Sequence, residues 1–95
     1  MLMPVKNTNN TADSITLNIR WFSVLSEKRG KRSEEVSLPA GTTGSKLLEM
    51  LGDETPAVKE FRNYIRLAVN HEYRDEEIVL NDGDEIALIT PVSGG

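Results

Sequence analysis

The chain ends in the stretch Glu85-Ile86-Ala87-Leu88-Ile89-Thr90-Pro91-Val92-Ser93-Gly94-Gly95, from which the rest of the architecture can be worked out. The apolar run that begins at Ile86 is typical of a strand. Pro91 cannot donate a hydrogen bond to a neighbouring strand, so we expect the strand to end before it. The two glycines lack a Cβ, so the backbone there can enter a slot too narrow for any other residue. The stretch predicts a strand, residues 85–90, that leads directly into a thin tail.

The predicted tail, residues 91–95, is long enough to reach into another protein. An extended chain advances about 3.3 Å per residue, so five residues reach roughly 16 Å beyond the fold. That distance can place a terminal carboxylate in the active site of another protein. The alternative is a glycine tail without function, because two glycines also occur at a chain end by chance.

Composition narrows the class of protein. A chain of 95 residues fits one small domain. Its formal net charge of −4 argues against nucleic acid as a partner. No apolar run approaches the roughly 20 residues of a membrane span, and no signal-peptide core is seen at the N-terminus. We therefore expect a cytoplasmic protein with no membrane partner.

The residue types also limit the chemistry of the side chains. The sequence has no cysteine, which excludes disulfides, thiolate metal sites and a cysteine nucleophile. A single histidine, His71, cannot form an imidazole cluster, so we expect no metal site. The carboxylate runs, such as residues 75–77, are more typical of a solvated face than of an acid–base pair. We expect no catalytic machinery within the chain itself.

Three segments differ in pattern. Residues 1–13 are polar and aperiodic, which predicts a disordered N-terminal arm. Residues 14–90 alternate between strand and helix patterns and form the predicted domain. Residues 91–95 are the predicted functional C-terminal tail.

The domain opens with a strand. Alternate residues from Ile15 to Trp21 are apolar, which predicts one buried face. A short helical turn at residues 23–30, closed by Gly30, should connect it to a return strand at 33–38. The basic cluster Lys28-Arg29-Gly30-Lys31-Arg32 within this connection is interpreted as a solvated turn, with docking to an acidic partner as the alternative.

The main helix follows. Thr43 is the expected N-cap, because its hydroxyl can accept a hydrogen bond from a free backbone N–H at the helix start. Three leucines then recur at helical spacing, and Gly52 is expected to end the helix. Pro56 begins a second short helix. Further strands are predicted at residues 65–70, 78–80 and 85–90.

This order of elements predicts a fold. The helix between the second and third strands permits a crossover, so the first and last strands can lie parallel and adjacent. The prediction is an α+β protein of the β-grasp, or ubiquitin-like, class, with a mixed sheet of about five strands packed on one main helix. In the last strand, Ala87 and Ile89 would form an apolar strip on the face opposite Ile86 and Leu88. Such a strip beside a tail favours a partner interface.

Several short motifs carry a resemblance to a known family. They are Arg20-Trp21-Phe22 with Leu25, Glu34-Glu35-Val36, Leu67-Ala68-Val69-Asn70, Leu80-Asn81-Asp82-Gly83-Asp84-Glu85-Ile86 and Pro91-Val92-Ser93-Gly94-Gly95. With these motifs, residues 15–95 resemble the MoaD/ThiS family of ubiquitin-like sulfur carriers. The ending Pro-Val-Ser-Gly-Gly is most similar to the molybdopterin branch of that family.

The resemblance implies a function in molybdenum cofactor synthesis. The C-terminal carboxylate, here on Gly95, would be adenylated by a MoeB-like activating enzyme that uses ATP, and then converted to a thiocarboxylate. A MoaE-like large subunit of molybdopterin synthase would transfer this sulfur to a pterin precursor. Gly94 would keep the approach narrow, and no cofactor would be bound stably. The expected partner contacts are Ile89, Pro91, Val92 and Ser93.

Two other interpretations remain open. The chain could be a ubiquitin-like protein modifier, or a sulfur carrier for thiamine, cysteine or tRNA thiolation. It could also be a β-grasp interaction module with an incidental tail. A change in mass after incubation with ATP, sulfide and an activating enzyme would separate the last interpretation from the others.

Overall fold

The computed structural model describes residues 13–90, which fold as a mixed sheet of five strands with helices packed on one face. Of the predicted arm only Asp13 is among the described residues, and the predicted tail lies outside them. In chain order the elements are β1 (Ser14–Trp21), α1 (Ser23–Arg29), β2 (Ser33–Pro39), α2 (Gly44–Glu54), α3 (Pro56–Glu60), a 3-10 helix (Arg62–Tyr64), β3 (Arg66–Val69), β4 (Glu72–Tyr73) and β5 (Glu85–Ile89).

The strand order is β2-β1-β5-β3-β4. β1 pairs antiparallel with β2 and parallel with β5, and β5 pairs antiparallel with β3. The predicted β-grasp arrangement, with the first and last strands side by side in the middle of the sheet, is confirmed. The last strand in the sequence, β5, therefore has a neighbouring strand on both sides.

The core lies between the sheet and the helices. The alternating residues of β1 are buried as predicted, and Leu25 of α1 and the three leucines of α2 are buried with them. The buried hydrophobic residues are Ile15, Leu17, Ile19, Trp21, Leu25, Leu38, Leu47, Leu48, Leu51, Ala57, Val58, Ile65, Leu67, Ala68, Val69, Leu80, Ile86 and Leu88.

The main helix begins as predicted but ends later. Thr43 is the N-cap, and its Oγ1 accepts a hydrogen bond from the Lys46 N–H at 3.2 Å. The prediction that Gly52 ends α2 is wrong, because the helix continues to Glu54. Gly52 is buried where α3 packs against α2, and a Cβ there would lie 2.7 Å from Cγ of Lys59. This glycine permits a close approach of two helices and does not act as a cap.

The fourth strand also differs from its prediction. Residues 78–80 do not form a strand, and only Val79 makes an isolated bridge, to Thr43. The chain instead turns back at Asn70 and His71, whose φ angles are 51° and 74°, and β4 follows at once. Because both residues adopt the left-handed conformation, β3 and β4 form a tight hairpin that the apolar pattern did not indicate.

Candidate functional site

The candidate site begins with β5, the strand that precedes the tail. Ile86 lies opposite Ile19 of β1, and Leu88 lies opposite Leu67 of β3. Both β5 side chains are fully buried. Since backbone pairing on two sides and a buried face hold β5, the sheet provides a fixed base at the point where the tail begins. The predicted reacting residues Gly94 and Gly95, and the predicted contacts Pro91, Val92 and Ser93, lie outside the described residues.

A hydrogen-bond network fixes the start of β5. Nδ2 of Asn70 donates to Oδ1 of Asp84 at 2.9 Å, and the Glu85 N–H donates to Oδ1 of Asn70 at 3.0 Å. Oδ2 of Asp84 accepts from the Asn81 N–H at 2.8 Å. These bonds join the end of β3 to the turn before β5. Two of the motifs that carry the family resemblance therefore meet in space, and they set the register of the strand.

The outer face of the sheet, which we call the open face, carries an apolar groove. Ala87 and Ile89 lie on this face, half-buried, as the alternation of β5 predicts. The groove has a volume of about 310 Å³, and the rings of Phe22 and Tyr73 also line it. The two rings are 40% and 60% exposed. The structure thus places Ile89 on an accessible surface at the tail end of β5, and its role as a partner contact stays a prediction.

Phe22 and Tyr73 were not predicted as site residues. Counting by twos from Arg20 places Phe22 on the open face, so the alternation of β1 held the necessary signal. Tyr73 lies opposite Ala68 in the β3–β4 hairpin, and without that hairpin its position could not be predicted.

Charged groups surround this groove. Nη1 of Arg20 lies 2.9 Å from Oε2 of Glu85, and the Arg20 guanidinium lies 6.0 Å from the centre of the Phe22 ring. The Arg66 guanidinium lies 4.9 Å from the centre of the Tyr73 ring. Cation–aromatic contacts of this kind hold long side chains in place at a surface.

The basic cluster at residues 28–32 is not simply a solvated turn, and for Arg29 that interpretation is wrong. Its side chain is only 13% exposed, and it lies 2.9 Å from Oε1 of Glu54 and 5.3 Å from the centre of the Trp21 ring. Its hydrogen bond to Glu34 raises the pKa of Arg29 and lowers the pKa of the Glu34 carboxyl. Arg29 therefore stabilises the domain.

Between residues 13 and 90 no group of three or more histidine, cysteine, aspartate or glutamate side chains is placed to hold a metal ion. In the same part of the chain, no helix has the length and apolar character needed to cross a membrane.

Several known proteins are similar to this chain. One is the molybdopterin synthase sulfur carrier subunit of Homo sapiens, which is 37% identical over 82 residues and covers 83% of this chain and 93% of that protein. Another is the subunit of the same name from Arabidopsis thaliana, 30% identical over 90 residues, with 95% of this chain and 94% of that protein covered.

Solved structures agree on the fold. SAMP1 from Haloferax volcanii is 28% identical, with a TM-score of 0.71, over 84% of this chain and 99% of its own. A chain from the complex of subunits 1 and 2 of the molybdopterin-converting factor from Helicobacter pylori has a TM-score of 0.61 at 23% identity, over 85% of this chain and 100% of its own. The family model described as ThiS matches residues 19–95, from the middle of β1 to the last glycine, and the chain therefore belongs to the ThiS family.

Proposed function

We propose that this chain is the sulfur carrier subunit of a molybdopterin synthase. The observation that carries the proposal is its similarity to the human and plant subunits of that name, which extends over most of both chains. The central position of β5 supports it, because the strand that leads into Pro-Val-Ser-Gly-Gly is held on both sides.

The chemistry of the proposal takes place at the C-terminal carboxylate of Gly95. A free carboxylate is a poor electrophile, so it first attacks the α-phosphorus of ATP and releases pyrophosphate. In the resulting acyl adenylate AMP is a good leaving group, and a sulfur nucleophile displaces it to give the thiocarboxylate. The activating enzyme supplies the ATP site, so the carrier needs only a free and accessible terminus.

The other predicted site residues take no part in bond formation and serve to position the carboxylate of Gly95. Gly94 has no Cβ and lets the end of the chain enter a narrow channel. Pro91, Val92 and Ser93 align the tail, and Ile89 contacts the partner from the open face. Two partners follow from this scheme, an adenylating activating enzyme and a large synthase subunit that receives the sulfur.

The experiment follows the mass of the chain. The full chain is incubated with an activating enzyme, ATP and sulfide, and its intact mass is then measured. We expect the increase that corresponds to replacement of one oxygen by sulfur, only when ATP is present. The product is then mixed with a large molybdopterin synthase subunit and the precursor pterin, and we expect the mass to return to its starting value. An unchanged mass in the first step would contradict the proposal.

A protein modifier is the second candidate function, and the similarity to SAMP1, which is also named small archaeal modifier protein 1, favours it. The same acyl adenylate would then react with a lysine amine of a target protein. An epitope-tagged chain expressed in its host would give a ladder of tagged conjugates that disappears when the final glycine is deleted. A sulfur carrier without this activity gives only the free tagged chain.

A further inference from the structure

The open face is basic near the tail although the chain as a whole is acidic. The formal net charge is −4. Arg66 of β3 nevertheless lies directly opposite Ile89, and Arg20 of β1 lies directly opposite Ala87. Two arginines therefore flank the apolar strip of β5, one on each side.

A third arginine, Arg32, lies on the same face as Arg20 and Arg66. Arg32 lines a polar concavity of about 720 Å³ on the open face together with Arg20 and Phe22. It belongs to the basic cluster of the α1–β2 connection, whose alternative interpretation was docking to an acidic partner. The structure divides that cluster, because Arg29 is held within the fold while Arg32 is exposed on the side of the tail.

Not all of this charge is neutralised within the domain. Arg20 forms an ion pair with Glu85, with 2.9 Å between Nη1 and Oε2. Among residues 13–90, no carboxylate lies within ion-pair distance of Arg66 or Arg32. Arg66 is stacked on Tyr73, which fixes its side chain. A guanidinium that is stacked on a ring still has N–H donors available to a carboxylate.

We propose that Arg66 and Arg32 bind carboxylate side chains of the protein that receives the tail, on either side of the contact with Ile89. The identity of that protein as a large synthase subunit rests on the proposed function. An acidic protein surface fits better than a nucleic acid, because the apolar Ile89 and Phe22 lie between the two arginines and need apolar partners. Opposite charges around the tail also speed its capture, since they steer the encounter of the two proteins.

The test measures affinity by titration calorimetry between the full chain and a large molybdopterin synthase subunit. It is run at 50 and 300 mM sodium chloride, between which the Debye length falls from roughly 14 Å to roughly 6 Å. Arg66→Glu and Arg32→Glu reverse the charges, and Arg66→Gln removes one charge without reversal. Lys46→Glu is the matched control, because this exposed lysine lies on α2, on the other side of the sheet. Circular dichroism checks that each variant is folded.

We expect each reversal to weaken binding about 10-fold or more at low salt. The reason is that a hydrogen bond to a charged group typically contributes at least the free energy that corresponds to a tenfold change in affinity. Arg66→Gln should weaken it less, and Lys46→Glu should stay within about twofold of the wild type. The wild-type affinity should fall with salt more steeply than that of the reversed variants.

Equal affinities for the reversed variants and the control would overturn the charge inference and leave the proposed function standing. A wild-type chain that binds no large subunit and gains no sulfur would overturn both. Arg66→Gln keeps the test valid even if a reversed variant fails to fold.

Discussion

Arg29 donates two hydrogen bonds to the carboxylate of Glu34, from Nε at 2.7 Å and from Nη2 at 2.8 Å, and so joins the end of α1 to the start of β2. The indole N–H of Trp21 donates to the same carboxylate at 2.7 Å. Hydrogen bonds to a charged group contribute about 1.5–3 kcal/mol, so we expect Glu34→Gln to lower the free energy of unfolding by about that amount. Urea denaturation followed by circular dichroism measures it.

The control for this change is Glu49→Gln. Glu49 forms an exposed pair with Lys46 at 3.6 Å, and exposed pairs contribute about 0–1 kcal/mol. If the two variants lost the same stability, Arg29 and Glu34 would be no more than a surface pair.

The same carboxylate predicts a pH dependence. The hydrogen bond from Arg29 holds the pKa of Glu34 below its usual value of 4.5 in the folded chain. A lowered folded pKa means that this contribution is complete above the unfolded pKa and is lost as the pH falls through the folded one. The stability difference between the wild type and Glu34→Gln should therefore shrink as the pH is lowered below 4.5. Urea midpoints of both proteins from neutral to acidic pH test this, and a constant difference would contradict it.

The face assignments of β1 and α2 predict large losses of stability. Leu17 and Leu47 are fully buried, so Leu17→Ala or Leu47→Ala should each cost about 2–5 kcal/mol through the cavity that is left. Val79 is 52% exposed, and Val79→Ala should cost much less. Chemical denaturation gives the three values. A cost below about 1 kcal/mol for both leucine variants would show that the core is assigned wrongly.

Substitutions on the open face should affect partner binding without unfolding the domain. Ile89 is half-buried beside the groove, whereas Leu88 is fully buried in the core. We expect Ile89→Asp to weaken binding to a large synthase subunit while the fold is retained, because the aspartate can be solvated. Leu88→Asp should unfold the domain, since it buries an unpaired charge. Unchanged affinity and stability in Ile89→Asp would remove this residue from the interface.

The length of the tail, residues 91–95, should be critical for adenylation of its carboxylate. Deletion of Gly95 shortens the reach by about 3.3 Å, and a misplacement of 1 Å can already cost on the order of 100-fold in rate. Addition of one alanine after Gly95 displaces the carboxylate and introduces a Cβ, so we expect a similar loss. ATP–pyrophosphate exchange with the activating enzyme measures the rate. A chain that lacks residues 2–12 is the control and should react normally. Wild-type rates in both tail variants would mean that Gly95 is not the reacting residue.

The strands that define the fold could be predicted because their signal is local. The alternation from Ile15 to Trp21 needs no knowledge of the rest of the chain, and the helix-length gap before β3 permits a crossover between parallel strands. The predicted order of first and last strands followed from these two features. The position of Ile89 followed in turn from counting along β5.

The errors have a common physical cause, which is contact between residues distant in sequence. Gly52 looked like a helix end because nothing in its own neighbourhood reveals that Lys59 packs against it. Arg29 looked solvated because its partners come from separate elements of the fold, including Glu54 at the end of α2. The hairpin at Asn70 depended on two residues in the left-handed conformation, which the apolar pattern does not encode.

The central position of β5 has a mechanical consequence. Under the proposed function, a partner that holds the end of the chain would apply any force to the domain through β5. β5 is paired with β1 on one side and with β3 on the other, so such a force loads both sets of backbone hydrogen bonds together, in shear. A strand at the edge of the sheet, pulled outward, would instead lose its hydrogen bonds one after another. The topology thus distributes such a load over two neighbouring strands.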